Sequence, residues 1–362
     1  MSPAGYQNHR ENLNMPKRVR AAALTNYLEV ARRHGLDADS LLARVGLGRP
    51  ELEDAEHLIP ALAVVQLLEE SAAACNNPSF GLCLAESRQL AHFGAIGLLI
   101  SHQPSLRDAL QVMLQYRHLF NDTVAILLEE SGKMVIIRLE VVCESPMPCR
   151  QSNELAIGVL FRLCATLLGE RWRPHSIGFT HNAPGDQQLH RRLFGCKLEF
   201  ASEFNGIVCS GSELDAANPY ADPAKAGLAR RYLDSLAGSH RPSMMYEARK
   251  AIYLLLPMGR ASIEEVAQTL NMRVRTLQRH LKAGGATFHD VLNAVRRDLV
   301  IRYLETPGYP LGQIAEMLGY ATPGSFTRWF SMEFGMPPTI WRDRKKAEGW
   351  VDGATAWPPM VG

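Results

Sequence analysis

The C-terminal part of the chain contains the same pattern twice. Residues 263–288 read IEEVAQTLNMRVRTLQRHLKAGGATF, and residues 314–342 read IAEMLGYATPGSFTRWFSMEFGMPPTIWR. They align at an offset of 48 residues, and single-residue insertions in the second copy keep the later positions aligned. Each copy has apolar residues at helical spacing, then Asn271 or Gly319, which tolerate a left-handed turn, then helical spacing again. The repeat predicts two helix-turn-helix units.

Helix geometry divides the second helix of each copy into an inner and an outer face. Leu277 and Leu281 lie within about 40° of each other at 3.6 residues per turn and face the core, and Phe326 and Phe330 do so in the second copy. The outer faces suit base reading, because Arg pairs with guanine, Gln with adenine, and Ser and Thr with several base edges. A solvated helix face is the alternative, which two matching copies disfavour. The predicted DNA contacts are Arg273, Arg275, Thr276, Gln278, Arg279, Lys282, Gly324, Ser325, Thr327, Arg328 and Ser331.

A long helix is predicted between the copies, over 288–304. It would span roughly 25 Å and hold the two second helices near the ~34 Å repeat of successive major grooves. Basic residues on it and after the second copy are candidate phosphate contacts, each with an ordinary solvated charge as the alternative. They are Arg296, Arg297, Arg302, Arg342, Arg344, Lys345 and Lys346.

Composition and charge fit a DNA-binding protein of two parts. The 362 residues are 46% hydrophobic and 21% charged, which argues against disorder. Residues 244–350 carry a net charge of +5, whereas residues 1–243 carry −2 and all seven cysteines. The longest apolar stretch is far shorter than the roughly 18 residues of a membrane helix, and the polar opening lacks the apolar core of a secretory signal. With an odd cysteine count and no CxxC pair, we expect a cytoplasmic protein with reduced cysteines.

The acidic N-terminal part has the mixed periodicities of an α+β domain. Helices are predicted at 24–34, 39–45, 60–75, 105–120 and 154–168, and strands at 124–128, 134–142, 176–180, 197–200 and 206–209. Turn residues punctuate 211–243 around one helical stretch. The expected organisation is a flexible N-terminus (1–19), an α+β sensor domain (20–215), a linker with a short helix (216–243), an all-α double helix-turn-helix domain (244–347) and a flexible tail (348–362).

The two repeats resemble the DNA-binding domain of the AraC/XylS family of bacterial transcription regulators. In that family the outer faces of the two second helices contact bases, which implies base contacts for Arg275, Gln278, Arg279, Gly324, Thr327 and Arg328. One departure is Arg273, where the family usually has a Ser that caps the helix. FGAIGLLISHQPSLRDAL at 93–110 and the region from His181 to Phe200 are similar to the arabinose-binding-like N-terminal domain of one AraC subgroup, a label that does not imply arabinose.

Together these features predict a transcription regulator, an activator of catabolic genes that responds to a small-molecule effector. Expected partners are double-stranded DNA, the effector, RNA polymerase and a second copy of the chain. Neither a metal nor a cofactor is expected, and catalytic motifs such as GxxxxGK[ST], HExxH and GxSxG are absent from the sequence. An effector-independent DNA binder and a cysteine-based enzyme with a DNA-binding module remain alternatives. Candidate effector contacts combine apolar bodies with polar handles: Tyr116, Arg117, His118, Phe120, Arg138 and His181.

Overall fold

The computed structural model describes residues 18–119, 121–143, 147–169, 172–237, 243–306 and 309–347. They form an N-terminal part with two sheets and a C-terminal part made of helices, so the predicted fold class is confirmed. Within these ranges, no helix is both long and apolar enough to cross a bilayer.

The larger sheet consists of β3 Val124–Ser131, β4 Met134–Val141, β5 Ser176–Gly178, β6 Lys197–Glu199 and β7 Gly206–Ser210. Across the sheet, the strands lie in the order β3-β4-β7-β5-β6. Adjacent strands of this sheet are antiparallel, except β5 and β6, which are parallel. The β3–β4 hairpin turns at Gly132, whose φ of 63° is left-handed. Because the two strands stay paired up to Ser131 and Met134, β3 extends three residues beyond its predicted end at residue 128. The other two strands, β1 Arg18–Arg20 and β2 Leu58–Pro60, form a separate antiparallel pair.

Helices cover the sheet and form a second apolar core beside it. The central helix is Arg150–Leu168, against which Phe80–Glu86 packs closely: a Cβ on Gly158 would lie 2.6 Å from the Cβ of Ala85. The other N-terminal helices are Tyr27–Arg33, Ala38–Arg44, Pro50–Glu53, Ala61–Ala74, Gly94–Ser101, Leu106–Tyr116, Gln188–Phe194, Gly211–Leu214 and Pro223–Ala237, with short 3-10 turns at Ala21–Leu24, Leu90–Phe93 and Arg117–Leu119.

Two predicted domain boundaries differ from the structure. The helix expected inside the linker, Pro223–Ala237, buries Ala229 and Leu233 in the N-terminal core, so it is part of that domain. At the other end, Arg18 and Val19 were expected in a flexible segment, yet they belong to β1, and Val19 is buried because it packs in the second core. The rest of the predicted N-terminal segment and the predicted tail lie outside the described residues.

The C-terminal helices pack around one apolar core. Leu277, Leu281, Phe326 and Phe330 are buried there, as helical spacing predicts. The helices are Met244–Leu255, Ile263–Thr269, Val274–Ala283, Phe288–Glu305, Leu311–Met317, Pro323–Phe334 and Pro338–Ala347, with a short 3-10 turn at Leu256–Met258. We call Val274–Ala283 and Pro323–Phe334 the first and second reading helices, Phe288–Glu305 the connecting helix and Met244–Leu255 the docking helix.

The turns of the helix-turn-helix units match the sequence expectations, and side-chain caps mark the starts of several helices. Asn271 and Gly319 have left-handed φ values of 53° and 70°. Ser262 and Thr322 cap the helices that follow them by accepting backbone N–H groups. A reciprocal capping box at Thr287 fixes the start of the connecting helix. This continuous helix of 18 residues is about 27 Å long and joins the two helix-turn-helix units.

Candidate DNA-binding surface and effector cavity

The outer face of the first reading helix is exposed and positively charged. Arg275, Gln278, Arg279 and Lys282 are exposed, while Leu277 on the opposite face is buried. Among the described residues, none of these four polar side chains has a hydrogen-bond or ion-pair partner. Thr276 is half-buried beside them. The guanidinium and amide groups are therefore available for an external ligand.

The second reading helix presents an equivalent but less charged face. Arg328 and Gly324 are exposed, and Thr327 and Ser331 are half-buried. A Cβ on Gly324 would meet nothing closer than 4.0 Å, so this end of the helix is open to a close approach. Ser325 is partly engaged, because its hydroxyl donates to the carbonyl of Thr322 at 2.7 Å.

Arg273 occupies the N-cap position of the first reading helix without capping it. Its backbone is extended, and its side chain accepts no hydrogen bond from the helix. The first N–H groups of this ten-residue helix thus lack a side-chain acceptor there, whereas Thr322 caps the second reading helix. Free N–H groups at a helix N-terminus attract anions such as phosphate, and the exposed Arg273 adds a positive charge.

The predicted phosphate contacts on the connecting helix have partners within the protein. Arg296 is half-buried, donates to the carbonyl of Leu318 at 2.9 Å and stacks on Tyr320, with its guanidinium carbon 4.4 Å from the ring centroid. It therefore caps the helix before the second turn. Arg297 pairs with Glu333 on the second reading helix at 3.1 Å. Arg302 pairs with a carboxylate of the N-terminal part, described below.

The basic residues after the second unit remain predictions with different surroundings. Arg342 is half-buried, and burial lowers its pKa below the ordinary value. The guanidinium of Arg344 is exposed, and the Lys345 ammonium lies 6.0 Å from the ring centroid of Trp341. The side chain of Lys346 lies outside what the structure describes.

An apolar cavity with a volume of about 120 Å³ lies between the sheet and the helices of the N-terminal part. Helices and strands each line the cavity with the residues of one face. Helix Arg150–Leu168 contributes Ser152, Leu155, Ala156 and Val159, and β3 and β4 contribute alternate residues. The described lining is Val19, Arg20, Ala22, Ala23, Ala61, Val64, Val65, Leu68, Arg88, His92, Phe93, Met113, Asn121, Thr123, Val124, Ile126, Leu139, Val141, Ser152, Leu155, Ala156, Val159 and Leu160.

The sequence-predicted effector residues do not line this cavity. Tyr116 is buried and donates to Asp234 at 2.5 Å, and Arg117 forms an ion pair with Glu247. Arg138 pairs with Glu129 at 2.6 Å. These three side chains are thus engaged with partners inside the protein and lie outside the cavity wall. The side chain of His118 and the whole of Phe120 lie outside the described residues.

His181, the sixth candidate, belongs to a separate buried cluster. Its Nε2 lies 3.0 Å from the carboxylate of Glu154, and the Nε2 of His190 lies 3.2 Å from it. Burial would raise the pKa of Glu154, but hydrogen bonds from the two imidazoles outweigh burial and lower it. Within the described ranges, no group of three or more His, Cys, Asp or Glu side chains could hold a metal ion. The cluster therefore holds a buried carboxylate in its ionised form.

Six of the seven cysteines have a raised thiol pKa, whereas an activated nucleophile needs a lowered one. Burial is the largest cause of the raised pKa of Cys75, Cys83, Cys164, Cys196 and Cys209. A reactive thiol needs a lowered pKa, since the thiolate is the nucleophile. The Sγ atoms of Cys143 and Cys149 lie 3.4 Å apart as free thiols, and the hydrogen bond between them raises the pKa of Cys149. These surroundings disfavour the cysteine-based enzyme.

The sheet that lines the cavity also contacts the DNA-binding part. On β3, Val124 and Ile126 face the cavity, while the alternate residue Ala125 packs with Leu254 of the docking helix. On β4, Leu139 and Val141 face the cavity. This alternation follows from the two-residue period of a strand. One layer of sheet thus separates the cavity from the helices behind it.

Polar contacts hold the same interface. Glu140, between the two cavity residues of β4, is buried and pairs with Arg302 of the connecting helix at 2.7 Å. Lys250 of the docking helix donates to the carbonyl of Asp122 at 3.0 Å, and Tyr246 donates to the carbonyl of Val142. The sequence analysis missed this interface, since its partners are more than 100 residues apart along the chain.

Comparison with known proteins assigns both parts. Residues 35–218 match the family model of the arabinose-binding domain of AraC transcription regulators, and residues 266–344 match a helix-turn-helix domain. The chain is similar to the HTH-type transcriptional regulator VirS of Mycobacterium tuberculosis, at 30% identity over 92% of this chain and 98% of that protein. An ornithine utilization regulator of Pseudomonas aeruginosa is 25% identical over 87% and 94%. The crystal structure of the transcriptional regulator CdpR from Pseudomonas aeruginosa covers 87% of this chain and 98% of its own, at 21% identity and a TM-score of 0.43. The chain belongs to the AraC family of transcription regulators, with an N-terminal ligand-binding domain and a C-terminal helix-turn-helix DNA-binding domain.

Proposed function

We propose that this regulator reads two adjacent major grooves, one with each reading helix. The observation that carries the proposal is the equivalent position of Arg279 and Arg328, both exposed and both without a partner among the described residues. The contacts to DNA come from the eleven residues of the two helix-turn-helix units that the sequence predicts. Arg344, Lys345 and Arg342 supply phosphate contacts after the second unit, in place of Arg296 and Arg297.

The test is a binding-site selection with the wild-type chain, followed by affinity measurements for Arg279→Ala and Arg328→Ala. Each substitution should weaken cognate binding by about 1–3 kcal/mol and relax preference at one base pair. Arg260→Ala is the matched control, because Arg260 is exposed in the same domain but pairs with Glu265 at 2.8 Å. An equal loss on every DNA sequence would show that the two arginines contact only phosphate.

We propose that a small molecule in the apolar cavity controls DNA binding through β3 and β4. Support comes from the two faces of these strands, one lining the cavity and the other contacting the docking and connecting helices. A ligand that favours one position of the strands shifts the equilibrium between two arrangements of the DNA-binding domain. The likeness to an ornithine utilization regulator supports genes of metabolism as targets. The DNA affinity of the full chain should change when a metabolite stabilises it against heat; an unchanged affinity favours an effector-independent regulator.

We also propose that the chain forms a homodimer through helix Pro223–Ala237. Leu228 and Tyr232 lie one turn apart on this helix and are 61% and 56% exposed. Large exposed apolar side chains on one face mark protein contacts. Leu228→Asp should lower the molar mass in light scattering to that of a monomer while leaving the melting temperature of the monomer unchanged. A wild-type monomer at working concentrations would rule out this dimer.

The proposal includes activation of transcription, with RNA polymerase as the partner and without enzymatic activity. Support comes from Met332 on the second reading helix and Ile340 on the following helix, which are 82% and 56% exposed. A promoter fusion should lose expression with Met332→Asp while DNA affinity is kept. Increased expression from a deletion of the regulator would show repression instead.

A further inference from the structure

One buried arginine in the cavity wall has no counter-ion among the residues that the structure describes. Arg88 is only 6% exposed, and its Nη1 reaches the carbonyl of Thr25 at a long 3.4 Å. Its Nε has no hydrogen-bond partner, and no carboxylate of the described residues pairs with it. The contrast is Arg20 in the same wall, which pairs with Glu56 at 2.9 Å. A buried charge without a partner destabilises a protein, so its presence in a cavity points to an external anion.

The arginine keeps its positive charge at neutral pH. Burial lowers the pKa of Arg88 to about 10, and desolvation is the sole cause. A guanidinium has five N–H donors in a planar fork, which matches the two oxygens of a carboxylate. The ring of Phe93 covers one side of it, with the guanidinium carbon 5.9 Å from the ring centroid. The free donors at its edge are thus the groups left for a ligand.

Arg20, His92, Asn121 and Thr123 also line the cavity, and its wall holds a second unpartnered polar atom. The hydroxyl of Ser152 is buried without a hydrogen-bond partner in the described structure. Val64, Leu155 and Val159 typify the remaining wall, and the described lining residues include neither Asp nor Glu. A ligand with a cationic group would find no counter-charge here. The chemistry of the wall therefore suits one anionic end and an apolar body.

We propose that the cavity binds a monocarboxylic acid with an aliphatic tail, its carboxylate on Arg88 and its tail along the apolar helices. This inference rests on the proposed function, in which a small molecule in this cavity controls DNA binding, and it names the chemical class of that molecule. Ser152 donates its hydroxyl to the same head group or to a water beside it.

The experiment measures binding of decanoate to the full-length chain by calorimetry, with methyl decanoate and decylamine as probes of the same tail length. Decanoate should bind about tenfold to a hundredfold tighter than methyl decanoate, because a charge-assisted hydrogen bond is lost in the ester. Decylamine should bind more weakly than either, since its ammonium meets Arg88. Equal affinities for the acid and the ester, or no binding of decanoate, would overturn the proposal.

Variants of Arg88 separate a ligand contact from a structural one. Arg88→Met should abolish the preference for decanoate over methyl decanoate, and Arg88→Lys should keep part of it. The ligand-free Arg88→Met chain should be as heat-stable as wild type or more so, because a buried unpaired charge is gone. A lower melting temperature together with an unchanged preference would show that Arg88 serves the fold alone. Arg20→Met is the matched control, because Arg20 already has a partner, and it should keep the preference.

DNA affinity measured with and without decanoate distinguishes the two proposals. If decanoate binds through Arg88 without changing DNA affinity, the ligand class stands and the control of DNA binding fails. If decanoate does not bind but another metabolite changes DNA affinity, the ligand class is overturned and the proposed function stands.

Discussion

Replacing Glu140 by Gln tests the contact between the sensor sheet and the DNA-binding domain. The Glu140 carboxylate accepts from Arg302 at 2.7 Å, from Asn153 at 3.2 Å and from Asn205 at 2.9 Å. Although burial opposes the charge of Arg302, the Glu140 carboxylate holds the pKa of Arg302 well above its ordinary value. The Gln side chain has one acceptor oxygen, so its NH₂ group would face one of these donors.

The magnitude follows from burial of the pair. Breaking a fully buried ion pair costs about 3–5 kcal/mol, because the remaining charge stays buried. The side chain of Arg302 is 27% exposed, so water reaches it and the lower end applies. Glu140→Gln should lower the free energy of unfolding by about 3 kcal/mol. In a double-mutant cycle with Arg302→Met, the interaction energy should be about 2 kcal/mol.

Urea unfolding of the four chains measures this cycle. Glu29→Gln is the control, because Glu29 forms an exposed pair with Arg33, and it should cost less than about 0.5 kcal/mol. In the presence of an effector, the DNA affinity of Glu140→Gln should change less than that of wild type. Additive effects of Glu140→Gln and Arg302→Met, together with a normal effector response, would refute the coupling role of this pair.

Three further outcomes are expected. Gly319→Ala should lower the free energy of unfolding by about 1–2 kcal/mol, since φ is 70° and the new Cβ would lie 3.3 Å from Leu256. Asn271→Gly, at the equivalent turn of the first unit, should leave the stability in thermal denaturation nearly unchanged. Equal losses of stability in the two variants would contradict this reasoning. Lys282→Ala should reduce the slope of log affinity against log salt by about one, equally on all sequences, and an unchanged slope in a salt titration would remove Lys282 from the interface. Burial raises the pKa of Glu69 to about 7, so the folded state keeps a proton that the unfolded state loses and stability falls as pH rises from about 4.5 to about 7. Glu69→Gln should abolish this fall in urea midpoints between about pH 5 and about pH 8, and a persistent fall would assign it to another group.

The elements with clear periodicity were predictable from the sequence. The double helix-turn-helix units, their left-handed turns, the connecting helix and the β3–β4 hairpin all agree with the structure. Helix Gly94–Ser101 was not predicted as an element, because it is apolar on nearly every side and contains two glycines. Such a segment shows no alternation of apolar and polar residues at the 3.6-residue helical period, and packing against neighbouring elements stabilises it as a helix.

The cavity could not be found by the same reasoning. Its walls come from separate elements, and each stripe, such as Ala61, Val64, Val65 and Leu68, reads as ordinary core. Polar candidates chosen for their chemistry, such as Arg138, instead satisfied partners within the fold. The one signal available was Arg88 close to the apolar segment that begins at Phe93, and its meaning depends on the absence of a nearby acid among the described residues, which only coordinates reveal.

The two faces of β3 and β4 separate what an engineer would vary from what must be kept. Substitutions of Val124, Ile126, Leu139 or Val141 change the shape of the cavity, whereas Glu140 must be kept because it pairs with Arg302 of the connecting helix. Because neighbouring positions point in opposite directions, a library restricted to every second residue should alter the ligand preference that we propose for the cavity and leave the choice of DNA sequence unchanged.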